Sequence, residues 1–148
     1  RAMWLREHHE IDDDPLAAAP RGSLQAFRVR ITANGRLSVH VQTQGVRLWP
    51  ERGEQGVPPL DYTRAYELLR VGHQGGAQPA DVDRLMRGVL DGAIQVPAGR
   101  AREGLLVFPE PPVESRAMQL ELPFVQVGAE THRLRVPFAK LYLGTDDR

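Results

Sequence analysis

The 148-residue chain has no cysteine. That excludes disulfides, thiolate metal sites and a cysteine nucleophile, and it leaves the redox compartment open. No sign of charge is in excess: nineteen basic side chains balance nineteen acidic ones. No global field therefore draws in a phosphate backbone, and nucleic acid is not expected as a partner. Lysine is almost missing, since only Lys140 is not arginine among the basic residues; with abundant Ala, Gly and Pro this points to a GC-rich, bacterial gene. Long apolar runs are missing too. The longest, such as Gly104 to Phe108, are far too short to span a bilayer, so a soluble chain is expected. Internal repeats and low-complexity tracts are also absent.

What is present is the material of one domain. A chain of this length buries about 70% of the surface exposed by its unfolded form, enough for a core without metals or disulfides. Residues 1–22 read as a leader or linker, with Trp4 and Leu5 followed by a polar acidic stretch and then Pro15. Residues 23–148 read as a single β domain with a helical insertion at about 61–91. The chain begins at Arg1 rather than Met, and the expectation is that an upstream export signal or lipid anchor has been removed. An extracytoplasmic location, in the periplasm or cell envelope, follows, with membrane contact only through that removed anchor.

Phe27, Val29 and Ile31 alternate with Arg28, Arg30 and Thr32, and Leu37, Val39 and Val41 alternate with Ser38, His40 and Gln42. Both runs have the period of half-buried strands. With Ala33-Asn34-Gly35 between them they predict a hairpin. A two-residue turn would set one apolar face against the other strand's polar face. A three-residue loop pairs Ile31 with Leu37, Val29 with Val39 and Phe27 with Val41, leaving Gly35 at the left-handed position of a G1 bulge. In that register His40 lies opposite Arg28.

Further strands are expected at Val46 to Trp49, Ile94 to Val96, Gly104 to Phe108, Met118 to Leu122, Phe124 to Val127 and Leu134 to Phe138, with Pro123 and Pro137 at edges or bulges. Asp61 caps a helix over about Tyr62 to Val71 with Ala65, Tyr66 and Leu69 inside. Val82, Leu85, Met86, Val89 and Leu90 form the apolar stripe of a second helix over about Pro79 to Asp91. The fold class is mainly β: an antiparallel β-sandwich or small barrel of seven to eight strands with a two-helix insertion.

The chemistry-bearing residues are sparse. His8, His9 and Asp12, within an acidic run, could ligate a divalent metal, but no family spacing such as H-E-x-x-H accompanies them, and a solvated segment is the plainer reading. Ser23, Ser38 and Ser115 lie in no G-x-S-x-G elbow, so no hydrolase is indicated. Glu110 and Glu114 carry no feature that singles them out as a glycosidase pair. Gly72-His73-Gln74-Gly75-Gly76 lacks the lysine of a phosphate loop and reads as a helix connector. Trp49, Tyr62 and Tyr66 could form an aromatic patch for a partner or ligand, against the alternative of core packing. No catalytic residues and no cofactor are expected.

The run Val96-Pro97-Ala98-Gly99 through Gly104-Leu105-Leu106-Val107-Phe108-Pro109, the alternating Met118-Gln119-Leu120-Glu121-Leu122 and the closing Val136-Pro137-Phe138 resemble the C-terminal strands of immunoglobulin-like domains in bacterial lipoproteins and secreted proteins. The resemblance covers about 45 residues and implies a β-sandwich used for adhesion, assembly or envelope association. The leading expectation is a non-enzymatic extracytoplasmic domain that binds a protein or cell-envelope component. The alternatives are a small-ligand binder with a pocket under the helical insertion, and a metal-binding protein or metal-dependent enzyme using His8 and His9.

Overall fold

The computed structural model describes residues 2–4, 24–51, 55–72, 83, 86–109, 115 and 117–139. In chain order its strands are β1 (Ala2–Trp4), β2 (Leu24–Thr32), β3 (Val39–Gln42), β4 (Arg47–Pro50), β5 (Ala93–Val96), β6 (Ala101–Pro109), β7 (Ala117–Val127) and β8 (Glu130–Ala139). A 3-10 turn, Thr43–Gly45, separates β3 from β4, and helix α1 (Tyr62–Gly72) lies between β4 and β5. The protein is mainly β with antiparallel sheets and helices inserted between strands, as expected. The first residues of the segment read as a leader form β1, which pairs with β2.

The strands form two sheets. One has the order β1-β2-β6; the other runs β4-β7-β3-β5, with β8 on the opposite edge of β7. β3 and β4 lie end to end along one edge of β7, with Val39–Val41 opposite Val127–Val125 and Arg47–Pro50 opposite Glu121–Met118.

The expected hairpin does not form. β2 pairs with β6 over nine residues, setting Phe27 against Leu106, Val29 against Gly104 and Ile31 against Arg102. Val39 and Val41 face Val96 and Ile94 on one side and Val127 and Val125 on the other. The segment between β2 and β3 instead carries the chain from one sheet to the other, held by the Ala33 N–H on the Arg100 carbonyl (2.9 Å) and the Gly99 N–H on the Ala33 carbonyl (2.8 Å). Gly35 does take a positive φ, 153°, but in a crossing between sheets. Alternation states which face of a strand is apolar; it does not state which strand lies beside it. His40 accordingly faces Gln95 and Gln126, not Arg28.

Turn chemistry is closer to expectation. The Arg100 N–H donates to the Pro97 carbonyl at 3.1 Å and Gly99 has φ 71°, the positive φ that a type II turn needs at its third residue. Between β7 and β8 the closing pair is Val127 with Glu130. Gly128 has φ 59° and Ala129 no positive φ, which makes a type II′ turn. Pro123 falls at a bulge, where the β7–β8 register shifts between Leu122 and Val125, so Leu122 and Val125 are both buried although three positions apart, and Phe124 between them is exposed.

One core contains residues of both sheets, among them Phe27, Val41, Leu48, Val96, Phe108 and Leu120. Phe27 sits edge-on to Phe108 at 5.6 Å and to Phe138 at 4.9 Å. A second, smaller cluster lies on the outer face of β2 and β6, where Leu24, Ala26, Leu105 and Val107 meet Ala65 of α1 and Met86. This is why Gly104 to Phe108 is apolar without alternation: the strand is covered on both faces.

The insertion is anchored at both ends. The Asp61 carboxylate accepts from the Arg64 N–H (2.7 Å) and that of Asp91 from the Tyr62 N–H (3.1 Å), so two carboxylates satisfy the start of α1. Ala65 is buried as expected, but Tyr66 is exposed. The second helix ends sooner than its stripe suggests. Among the described residues Asp83 and Met86 to Gly88 are helical, whereas Val89 forms a parallel bridge to Leu105. The N–H groups of Leu90 and Leu60 donate to the carbonyls of Leu105 (2.8 Å) and Val107 (2.7 Å), so the free edge of β6 is capped by the two flanks of the insertion. Leu90 thereby enters the main core. Gly104 permits this approach, because a Cβ there would lie 2.5 Å from Leu90 Cδ2 and 2.8 Å from the Gly88 carbonyl oxygen.

Candidate binding groove

Register brings three strand ends together. Trp49 lies opposite Gln119, which lies opposite Pro137; one row further along, the Glu51 N–H donates to the Ala117 carbonyl (2.9 Å), and Ala117 pairs with Ala139. By the alternation of strand side chains these residues share the sheet's outer face. Ala117 and Ala139 are short where their neighbours are bulky. An open groove of about 580 Å³ lies at these strand ends, lined by Trp49, Glu51, Ala117, Gln119, Pro137 and Ala139 of this set and by the intervening Pro50, Met118 and Phe138.

Trp49 is held in place from behind. The Leu48 and Val57 backbones exchange two hydrogen bonds of 2.8 Å, which lays Gly56 against the indole: a Cβ on Gly56 would be 2.8 Å from Trp49 Cε2. The indole Nε1 is buried with no hydrogen-bond partner among the described residues. Next along the same face, Arg135 Nε donates to Glu121 Oε2 at 2.7 Å, tying β8 to β7. Among the described residues the groove offers one carboxylate, Glu51, and no hydroxyl, imidazole or amine side chain. Its chemistry is that of apolar burial with a polar rim.

Comparison with protein-family models, with curated proteins and with solved structures finds no match to this chain. The groove is therefore read from its own residues.

Of the residues singled out in the sequence, Trp49 lines the groove. Tyr62 and Tyr66 lie one turn apart on α1, exposed at 49% and 36%, and the groove draws no residue from that helix. No ring contact joins them to Trp49 among the described residues. His8, His9 and Asp12 lie outside the described residues, as do His73, Glu110 and Glu114. His40 Nε2 is 3.3 Å from Ser38 Oγ in a half-buried contact, and His132 Nε2 is 3.5 Å from a Glu130 carboxylate oxygen at the surface. Ser115 is buried, with an unpartnered hydroxyl. The underside of the insertion is occupied by Ala65 and Met86 packed on Leu105 and Val107. Nothing local marks the two alanines, and Pro137 is marked only as an edge residue; they meet Trp49 through the pairing of β4 and β8 with β7.

Proposed function

We propose that the protein is a non-enzymatic, extracytoplasmic bacterial binding domain, an immunoglobulin-like β-sandwich that holds an apolar segment of another protein or envelope component in the Trp49 groove. The observation that carries this reading is the groove itself: an apolar depression on a β scaffold, with one carboxylate and, among the described residues, no second group to act with it. An aromatic anchor beside small residues is the kind of place where a buried side chain contributes most to association. The test uses Trp49 as its own reporter. In a Trp4→Phe background, a short peptide carrying one central tryptophan-free apolar residue such as leucine should shift Trp49 emission saturably, and Ala117→Leu, which fills the groove, should abolish the shift. Emission that stays constant up to millimolar peptide overturns the reading. Location is tested separately by an export-dependent reporter on the full-length gene, where cytosolic retention counts against it.

The groove's volume also lies within the range of small-molecule sites, roughly 300–1,000 Å³. A small apolar ligand should raise the melting temperature by mass action in a thermal-shift screen, whereas a groove that takes only a protein segment leaves the melting temperature of the isolated domain unchanged by such compounds.

A further inference from the structure

The groove lies where an open sheet edge ends. β8 pairs with β7 alone among the described strands, and residues 130–135 are exposed at every position. Because the tight turn closes on the Val127–Glu130 pair, the even-numbered residues of β8 exchange hydrogen bonds with β7. Thr131, Arg133, Arg135 and Pro137 then direct their backbone groups outward. Pro137 has no N–H to lose there. The edge thus presents three successive outward N–H donors and stops at the residue that forms the groove's rim.

We propose that this edge takes an extended peptide segment of a partner as an additional antiparallel strand. The segment places an acidic residue opposite Arg133 and, four positions earlier in its own sequence, an apolar residue opposite Pro137 that leans into the groove. The proposal rests on the groove being a binding site and names its occupant. Alternation puts both partner side chains on the sheet's outer face, the face of Trp49 and Pro137. The charge follows from pairing: Arg135 is held by Glu121, whereas Arg133 has no partner among the described residues, and a carboxylate directly opposite it is the favourable cross-strand neighbour. A second copy of the chain fits poorly. A two-fold pairing that uses all three donors sets Arg133 opposite its own symmetry mate, and like charges so placed repel.

The experiment titrates the labelled protein with a synthetic peptide of alternating valine and threonine that carries tryptophan and, four positions later, glutamate. Hydrogen exchange should slow at the amides of Thr131, Arg133 and Arg135, with no change at their even-numbered neighbours. Thr131→Pro, which removes one outward donor while leaving the β7–β8 ladder intact, should weaken binding. Arg133→Glu should weaken the glutamate peptide about fivefold and strengthen the matching lysine peptide by a similar factor. If the peptide binds and Ala117→Leu blocks it, but the three amides stay unprotected, the strand reading is overturned and the groove reading stands. Protection at the edge that is indifferent to Ala117→Leu overturns the groove and, with it, the apolar half of the proposed occupant. No binding at all overturns both, and a concentration-dependent dimer in ultracentrifugation that protects the same amides assigns the edge to a second copy instead.

Discussion

Residues 24–27 and 104–108 contrast with residues 130–135. The first two segments are adjacent lengths of β2 and β6, buried at each of their positions; the third is half of β8, exposed at each of its positions. All three are regular antiparallel strands. They differ in what lies against them: β2 and β6 have the opposite sheet on one face, the helical insertion on the other, and Leu60 and Leu90 on the outer edge, whereas the outer half of β8 pairs, among the described residues, with β7 alone. A strand enclosed on every side is committed to the fold. One held along a single edge keeps backbone groups available for association, and natural sheets guard such edges with charge and proline, as Arg133, Arg135 and Pro137 do here.

The contrast breaks most readily in the enclosed region. Phe27→Ala removes a fully buried ring that touches Phe108 and Phe138, and it should cost about 3–5 kcal/mol in a urea unfolding experiment. A loss below about 1 kcal/mol would mean that the two sheets do not share this core. Gly104→Val is next. It drives a side chain into Leu90 and the Gly88 carbonyl and should cost about 1–3 kcal/mol through overpacking. Adding Leu90→Ala should recover part of that loss, and strictly additive effects would show that the two sites do not touch.

The insertion is an intermediate case. Asp61→Ala removes the side-chain cap of α1 and should cost about 1 kcal/mol with a measurable loss of helical circular dichroism, the Asp91 carboxylate still serving the Tyr62 N–H. At the open edge Arg133→Ser should change stability by less than about 0.5 kcal/mol. Native-state hydrogen exchange sharpens the comparison without any mutation: along β8 of the free protein, the amides of Thr131, Arg133 and Arg135 should exchange fast and those of His132, Leu134 and Val136 slowly. Uniform protection along β8 would show that its outer edge is already paired.

Much of the local structure was legible. Seven of the eight described strands coincide with runs expected as strands; β1 lies in the segment read as a leader, and Phe124 to Val127 continues β7. The Pro97–Gly99 turn, the bulge at Pro123, the edge position of Pro137 and the start of α1 at Asp61 all follow from chemistry confined to a few neighbouring residues. The hairpin between residues 27 and 41 failed for the opposite reason. Its two runs have matching apolar faces, but each could equally serve another strand, and β6, lying about seventy residues away, offers β2 a nine-residue register. The apolar stripe of the second helix runs past the helix's end because Val89 and Leu90 keep helical spacing while serving an extended role at the edge of β6. In the groove only Trp49 carried a visible signal. Ala117, Ala139 and Pro137 matter because of what they stand beside.

By itself, then, the sequence determined the alternation of strands, the sites where the chain must turn and the cap that begins α1, because each depends on local backbone preference or on residue type. Tertiary structure alone decided that β2 leaves its neighbour in sequence for β6, that the insertion seals one sheet edge while β8 pairs with β7 alone among the described strands, and that Trp49 meets two alanines and a proline across three strands. Those outcomes depend on long-range pairing, where many registers satisfy the same local pattern and only the best simultaneous burial of both sheets and the insertion selects one.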